Sequence, residues 1–132
     1  RDPGVYGSMT LLAIEKELRR RAGELGAEIA TYQSNHEGAL VDYVQEQTGG
    51  AQGTIINPGA LTHYGLSLRD ALEDSRLPTV EVHISNIHRR EPWRAHSVVA
   101  PVAVGQVVGL GWRGYLYALE LVVEHINKES SE

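Results

Sequence analysis

The chain has 132 residues, a formal net charge of −5 and a hydrophobic fraction of 42%, which suits one compact domain with a real core. Cysteine is absent, so disulfides, thiolate zinc sites and cysteine nucleophiles are excluded. No long basic stripe points to nucleic acid, and the longest apolar stretches fall far short of the ~20 residues that a membrane span needs.

The first half of the chain predicts two helices and two strands after an opening loop. Residues 1–7 contain Pro and Gly and are expected to form a loop. A helix follows to about residue 25, capped by Ser8 or Thr10. The apolar spacing and turn residues then predict a strand over 27–33, a helix over 37–47 and a buried strand over 54–57.

The second half continues the alternation of strands and helices. It predicts a helix over 66–75 whose Leu66, Ala71 and Leu72 face the sheet, a strand over 79–84, a long polar loop over 85–101, a strand over 102–110 and a last helix that ends near residue 127. The polar tail, residues 128–132, is expected to be frayed. This order is typical of a single doubly wound parallel α/β domain over residues 1–132, with ligands at the carboxyl ends of the strands. Such a sheet usually begins with a strand before its first helix, and we expect that strand to precede residue 1.

Polar residues collect where the predicted strands end. Asn57 ends one strand, and Glu81, His83 and Ser85 lie on one face of another, because side chains alternate along a strand. A carboxylate beside a histidine fixes its tautomer and raises its basicity, as in a general acid or base with an orienting partner. A lone strand histidine is more often structural, but an unpartnered buried Glu81 would be costly. The polar row is therefore expected to line a cleft.

Other residues leave several interpretations open. Arg90 and Arg94 suit an anionic or hydroxylated ligand, or a solvated loop. His63, His83 and His88 match no familiar metal-ligand spacing. The string G-L-G-W-R-G satisfies a dinucleotide pattern but follows the last predicted strand.

Several segments stand out along the chain, in this order: R-D-P-G-V-Y-G-S-M-T, Q-S-N-H-E-G, I-N-P-G-A-L-T-H, L-R-D-A-L, E-V-H-I-S-N-I-H-R-R-E-P-W-R-A-H-S, P-V-A-V-G and a closing G-W-R-G-Y-L-Y-A-L. Together they resemble the successive signature segments of the type II dehydroquinases. The resemblance spans nearly the whole chain, and so many segments in the right order are far more specific than one motif.

That resemblance implies a fold, a reaction and an assembly. The fold would be flavodoxin-like with a five-stranded parallel sheet, and the reaction the trans-elimination of water from 3-dehydroquinate through an enolate. No metal, Schiff base or organic cofactor is implied. The assembly would be a homo-oligomer of trimers combined into a dodecamer, in the cytoplasm, serving the shikimate pathway or quinate catabolism.

The resemblance also implies roles for individual residues. Tyr6 would remove the proton next to the ketone, helped by Arg1 of the lid loop over residues 1–7, because a cation favours the phenolate. His83, beside Glu81, would protonate the leaving hydroxyl. The substrate would be bound by a larger set: Asn57, Ser85 and the backbone N–H of Ile84 for its carboxylate, His63 and Arg94 for its hydroxyls, Arg90 from the lid region, and Asp70 from a neighbouring subunit.

Two departures from the family pattern shape the alternatives. The usual opening strand and its N-G-P-N-L-N-L-L-G loop do not precede Arg1, and T-H-Y-G-L-S-L stands where T-H-T-S-x-A-L is usual. The first departure leaves open a non-catalytic, flavodoxin-like module that binds a small molecule. Because His63 is retained, the second departure predicts only a local change in packing.

Overall fold

A computed structural model describes residues 5–6, 9–89 and 91–130 of the chain. The regular elements, in chain order, are β1 Val5–Tyr6, β2 Met9–Thr10, α1 Leu11–Glu24, α2 Glu37–Gln47, β3 Thr54–Ile56, α3 Leu66–Ser75, β4 Thr79–His83, β5 Gly105–Val108 and α4 Gly114–Ser130. Short 3₁₀ turns lie between them, at Gly59–His63, Ile87–Arg89, Pro92–Ala95, Ala100–Val102 and Gly111–Arg113. No helix of these described ranges is long and apolar enough to cross a membrane.

A parallel sheet in the order β3, β4, β5 forms the centre of the fold. Ile56 pairs with Glu81, and His83 pairs with Val108, so the carboxyl ends of the strands meet at one edge. The predicted parallel α/β class is confirmed. The described residues contain three parallel strands, against the five expected.

Helices cover both faces of the sheet. On one face, Val80 and Val82 pack with Ile14 of α1 and Leu119 of α4 in the larger apolar cluster. On the other face, α2 and α3 pack around a smaller cluster that contains Leu68, Leu72 and Val99. Alternation along β4 therefore directs Glu81 and His83 toward the second face, where the turns 59–63 and 100–102 lie.

Helix α1 follows the sequence prediction closely. The Thr10 side chain accepts a hydrogen bond from the Ala13 N–H at 3.1 Å and caps the helix. Ile14, Leu18 and Ala22 form the buried stripe. Residues 1–7 were expected to form a loop, but Val5–Tyr6 pairs antiparallel with Met9–Thr10.

The strand predicted over 27–33 is wrong. This stretch runs beside α1, where Arg19 donates to the Ile29 carbonyl at 3.1 Å. A strand is defined by its ladder with a neighbour, and within the described residues no strand lies alongside this segment. The apolar pattern of this segment was therefore not enough to predict a strand.

The bounds of α2 and α3 agree with the predictions, but one helix face does not. Leu66, expected to face the sheet, is 54% exposed, and Leu68 is buried in its place. Strand β5 is shorter than predicted. The tail expected to fray is helical as far as Ser130, whose hydroxyl donates to the Ile126 carbonyl at 3.0 Å.

Candidate active site

A glutamate–histidine pair lies at the carboxyl end of β4. His83 Nε2 is 2.5 Å from Glu81 Oε2, and both side chains are buried, with Glu81 fully excluded from solvent. The valines between and before them fill the opposite face of the sheet, so the alternation of polar and apolar residues fixes where the pair points. The structure confirms the contact predicted between Glu81 and His83.

Three neutral side chains complete the surroundings of the Glu81 carboxylate. The Thr62 hydroxyl donates to Oε2, the Ser97 hydroxyl donates to Oε1 at 2.9 Å, and the Gln106 amide donates to Oε1 at 2.9 Å. Among the described residues, no buried side-chain nitrogen or oxygen lacks a partner. The cleft expected along this row is thus a closed polar cluster at Glu81, because a buried carboxylate needs donors in place of water.

These contacts determine the protonation of the pair. Burial acts to raise the pKa of Glu81, but hydrogen bonds from His83, Thr62, Gln106 and Ser97 outweigh it and leave that pKa below its ordinary value. An ionised carboxylate only accepts, so His83 donates from Nε2. His83 Nδ1 is then the ring nitrogen that can exchange a proton with another group.

Ser85 does not share the buried face with Glu81 and His83 as predicted. Strand β4 ends at His83, and Ser85 lies exposed in the bend that follows. The alternation of side chains stops with the strand, so it cannot be extended to Ser85. Ile84 is half-buried, and its carbonyl accepts from the Gly111 N–H at 3.1 Å.

The glycines of G-L-G-W-R-G hold the end of β5 against the end of β4. The Gly109 N–H donates to the His83 carbonyl at 3.0 Å, as the Gly111 N–H does to the carbonyl of Ile84. Both glycines have positive φ, at 80° and 67°, which side chains rarely adopt. The backbone N–H groups of both glycines already donate to carbonyls of the chain, which argues against a phosphate-binding role for the G-L-G-W-R-G segment.

Asn57 follows β3 at the same edge of the sheet. Its side-chain oxygen accepts from the Gly59 N–H at 3.1 Å, and its amide nitrogen donates to the Tyr115 hydroxyl at 2.9 Å. The amide group is therefore held from both sides. One of its two N–H groups points to Tyr115, and the other is the group that a ligand at this edge would use.

His63 ends the turn Gly59–His63 and is oriented by the loop that follows β4. Its Nδ1 lies 2.7 Å from the carbonyl oxygen of His96, and its ring packs edge-on against Trp93 with centroids 5.0 Å apart. A carbonyl only accepts, so neutral His63 carries its proton on Nδ1 and presents Nε2 as an acceptor.

Among the remaining predicted residues, Asp70 has a described side chain, and it lies away from this edge. Asp70 is exposed on α3 and pairs with the adjacent Arg69 at 2.9 Å. Arg1 and Arg90 lie outside the described residues, as do the side chains of Tyr6 and Arg94. Within the described ranges, no group of three metal-ligating side chains is close enough to hold an ion.

Sequence reasoning missed three of the groups around Glu81. Thr62, Ser97 and Gln106 are 19, 16 and 25 positions away, and no local period relates them to β4. The available signal was the buried glutamate itself, which requires donors from loops at the same edge. The dipeptides Thr62-His63 and His96-Ser97 were the candidates.

The fold and this site define a parallel α/β domain with an acid–base pair at the carboxyl edge of its sheet. Residues 1–123 match the family model described as dehydroquinase class II, and the chain belongs to that family.

Named relatives and a solved structure agree with this assignment. The chain is 60% identical over 120 residues to a 3-dehydroquinate dehydratase of Roseiflexus castenholzii, covering 91% of this chain and 76% of that protein. It is 55% identical over 130 residues to a 3-dehydroquinate dehydratase of Halothermothrix orenii, covering 98% and 88%. The crystal structure of a type II dehydroquinase from Butyrivibrio crossotus superposes with a TM-score of 0.84 at 40% identity, covering 92% and 86%.

Proposed function

We propose that this chain removes water from 3-dehydroquinate by acid–base chemistry. The observation that carries the proposal is the buried Glu81–His83 pair at the carboxyl edge of the sheet, in a chain of the dehydroquinase class II family. An ionised glutamate that accepts from Nε2 stabilises positive charge on the histidine ring. His83 is therefore suited to give up a proton from its other nitrogen.

The reaction balances with two protein groups. The Tyr6 phenolate takes the proton from the carbon next to the ketone, and the electron pair of that C–H bond forms an enolate. The enolate then expels the hydroxyl on the neighbouring carbon, which leaves as water after taking a proton from His83. Loss of a proton from Tyr6 and gain of one by His83 restore the starting state. Arg1 favours the Tyr6 phenolate by its positive charge.

Binding of the substrate is assigned to the remaining residues of the edge and its loops. His63 accepts a hydrogen bond from a ring hydroxyl through Nε2, in keeping with its contact to the His96 carbonyl. The substrate carboxylate is held by Asn57, Ser85 and the Ile84 N–H. Arg94 binds a hydroxyl, and Arg90 belongs to the lid region. Acid–base chemistry by these groups needs no cofactor.

Turnover is tested by adding 3-dehydroquinate to the purified chain and following the absorbance of the conjugated product. The proposal expects that absorbance to rise until the substrate is consumed. Substrate that binds, by calorimetry, without any absorbance change would favour the small-molecule binding module instead.

The same proposal includes an assembly of trimers into a dodecamer in the cytoplasm, with Asp70 near a neighbouring subunit's site. Two features of α3 support it. Asp70 is 61% exposed at its side chain, and Leu66, one turn earlier on the same helix face, is an exposed apolar residue. Both suit a surface that a second copy covers.

Light scattering tests the assembly, and a matched pair of variants tests Asp70. We expect a mass of twelve chains for the wild type. Asp70→Asn should lower turnover while Asp74→Asn, one turn further along α3 and also exposed, should not. An active monomer, or equal turnover in both variants, would contradict the role given to Asp70.

A further inference from the structure

The buried polar cluster around Glu81 contains groups to which the proposed reaction gives no part. Thr62 is fully buried and Ser97 nearly so. Their hydroxyl oxygens lie 2.8 Å apart, and both hydroxyls contact the Glu81 carboxylate. The Ser97 hydroxyl also contacts the backbone of its own loop, and the Thr62 carbonyl contacts that same loop. The two residues therefore link Glu81 to the loops that surround it.

The acceptors for the single proton of Ser97 all lie on one side of its hydroxyl: the Glu81 carboxylate and the Thr62 oxygen. Its oxygen accepts from the Val99 N–H at 3.1 Å and the Ala100 N–H at 2.9 Å, so its lone pairs are directed to the loop backbone. Its hydrogen is then directed into the cluster, where Glu81 Oε1 lies 2.9 Å away and Thr62 Oγ1 lies 2.8 Å away. The loop backbone thus fixes the position of the hydroxyl, and the hydroxyl helps to hold the carboxylate.

Thr62 joins the same two loops through its backbone. The Thr62 carbonyl accepts from the Val98 N–H at 2.6 Å, while its hydroxyl donates to Glu81. The next residue, His63, contacts the His96 carbonyl at 2.7 Å. These two hydrogen bonds join residues 62–63 to residues 96–98. Thr62 at this junction also contacts Glu81, and His63 is oriented by it.

We propose that Thr62 is a positioning residue, with Ser97 as its partner, that fixes the Glu81–His83 pair and holds His63 in register with it. It acts through the carboxylate, because Oε2 of Glu81 accepts from both the Thr62 hydroxyl and His83 Nε2. Removing one donor frees the carboxylate to rotate, and His83 then loses its single tautomer. The effect on turnover rests on the proposed function, but the effect on His83 does not.

The pH dependence of turnover is a direct consequence. Among the described side chains that contact Glu81, His83 is the titratable one, on the same strand. The neighbouring elements contribute the neutral Thr62, Ser97 and Gln106. Each neutral donor favours the charged carboxylate, so loss of one makes Glu81 easier to protonate. The pH below which turnover falls should move upward.

Three variants separate positioning from stability. Thr62→Val removes the hydroxyl at nearly constant shape, and Thr62→Ser keeps it. Thr79→Val is the matched control, because Thr79 is equally buried on β4 and its hydroxyl donates to the Leu77 carbonyl at 3.2 Å, away from Glu81. Thr62→Val should lower kcat about tenfold or more, with KM changed less than about twofold. The pH below which its turnover falls should be higher than in the wild type. Thr62→Ser should stay within about threefold of wild type, and Thr79→Val should leave the pH profile unchanged.

The tautomer of His83 can be measured without substrate, so it tests the positioning role even if the chain does not dehydrate 3-dehydroquinate. Nitrogen NMR of the ligand-free chain in alkaline buffer, where an imidazole is neutral, should report a single neutral tautomer of His83, with its proton on Nε2, in the wild type and Thr62→Ser, and a mixture of tautomers in Thr62→Val. Should Thr62→Val not fold, Ser97→Ala is expected to give the same mixture. An unchanged His83 tautomer in the folded variant, or equal losses of turnover in Thr62→Val and Thr79→Val, would overturn the positioning role.

Discussion

The side-chain amide of Asn57 donates to the hydroxyl of Tyr115 at 2.9 Å, across the gap between the end of β3 and the start of α4. The Gly59 N–H holds the amide oxygen from the other side, so two contacts fix the plane of the group. A side chain held in this way keeps its remaining N–H in one direction before any ligand arrives.

Tyr115→Phe tests whether this orientation matters for substrate binding. The phenylalanine ring keeps the packing but loses the acceptor, so Asn57 gains freedom that binding must then remove. We expect KM to rise about threefold to tenfold, with a smaller change in kcat. Tyr117→Phe, on the exposed side of the same helix, is the control and should leave KM unchanged. A normal KM in Tyr115→Phe would show that Tyr115 does not position Asn57.

The Glu81 cluster predicts how stability depends on pH. Because the pKa of Glu81 in the folded chain lies below its ordinary value, the folded state binds fewer protons here than the unfolded state. This contribution is fully present above the ordinary glutamate pKa of about 4.3 and is lost as the pH falls through the folded value. Glu81→Gln should be less stable than wild type at about pH 7, by roughly 1–3 kcal/mol, and should lose less stability in acid.

Urea unfolding between about pH 7 and about pH 3 measures the difference. Glu73→Gln, on the exposed surface of α3, is the control and should follow the wild-type curve. If Glu81→Gln lost stability in acid as steeply as wild type, Glu81 would not be the group responsible.

The turn after β5 predicts a local cost for a methyl group. Gly109 has φ of 80°, and a Cβ there would lie 3.1 Å from Asn86 Cβ. Gly109→Ala should therefore lower the free energy of unfolding by about 1–2 kcal/mol or more. Gly105→Ala, at the first residue of β5 with open space around it, should change stability little. Similar melting temperatures for the two variants would mean that the turn tolerates the strain.

Sequence patterns predicted the elements whose order is set locally. The bounds of α2 and α3 followed from apolar spacing closed by turn residues, and both were correct. The segment 27–33 failed because a strand depends on a partner that its own pattern cannot supply. Leu66 was misplaced because the buried stripe of α3 runs through Leu68, Ala71 and Leu72, and the helix period puts Leu66, two positions before Leu68, on the opposite side.

In the site too, the contacts predicted from sequence are those between residues close together in the chain. Glu81 and His83 were predicted because they are two positions apart on one strand, so their contact follows from strand geometry. The contacts of Glu81 with Thr62 and Ser97 depend on how two distant loops fold onto β4. Only the cost of a buried charge, which must find donors, pointed toward such partners.

If His83, held by Glu81, supplies the proton for the leaving hydroxyl, then turnover requires its imidazole, and a comparison of two histidine variants tests this requirement. His125 pairs with Glu129 at 3.1 Å on α4 and lies near Leu77 and Pro78, which precede β4, so it offers a second histidine–glutamate contact at the opposite end of that strand from His83. Dehydration of 3-dehydroquinate, followed by product absorbance, should fall about a hundredfold or more in His83→Gln and remain at the wild-type rate in His125→Gln. Near-normal turnover in a folded His83→Gln variant would show that His83 is not the proton donor.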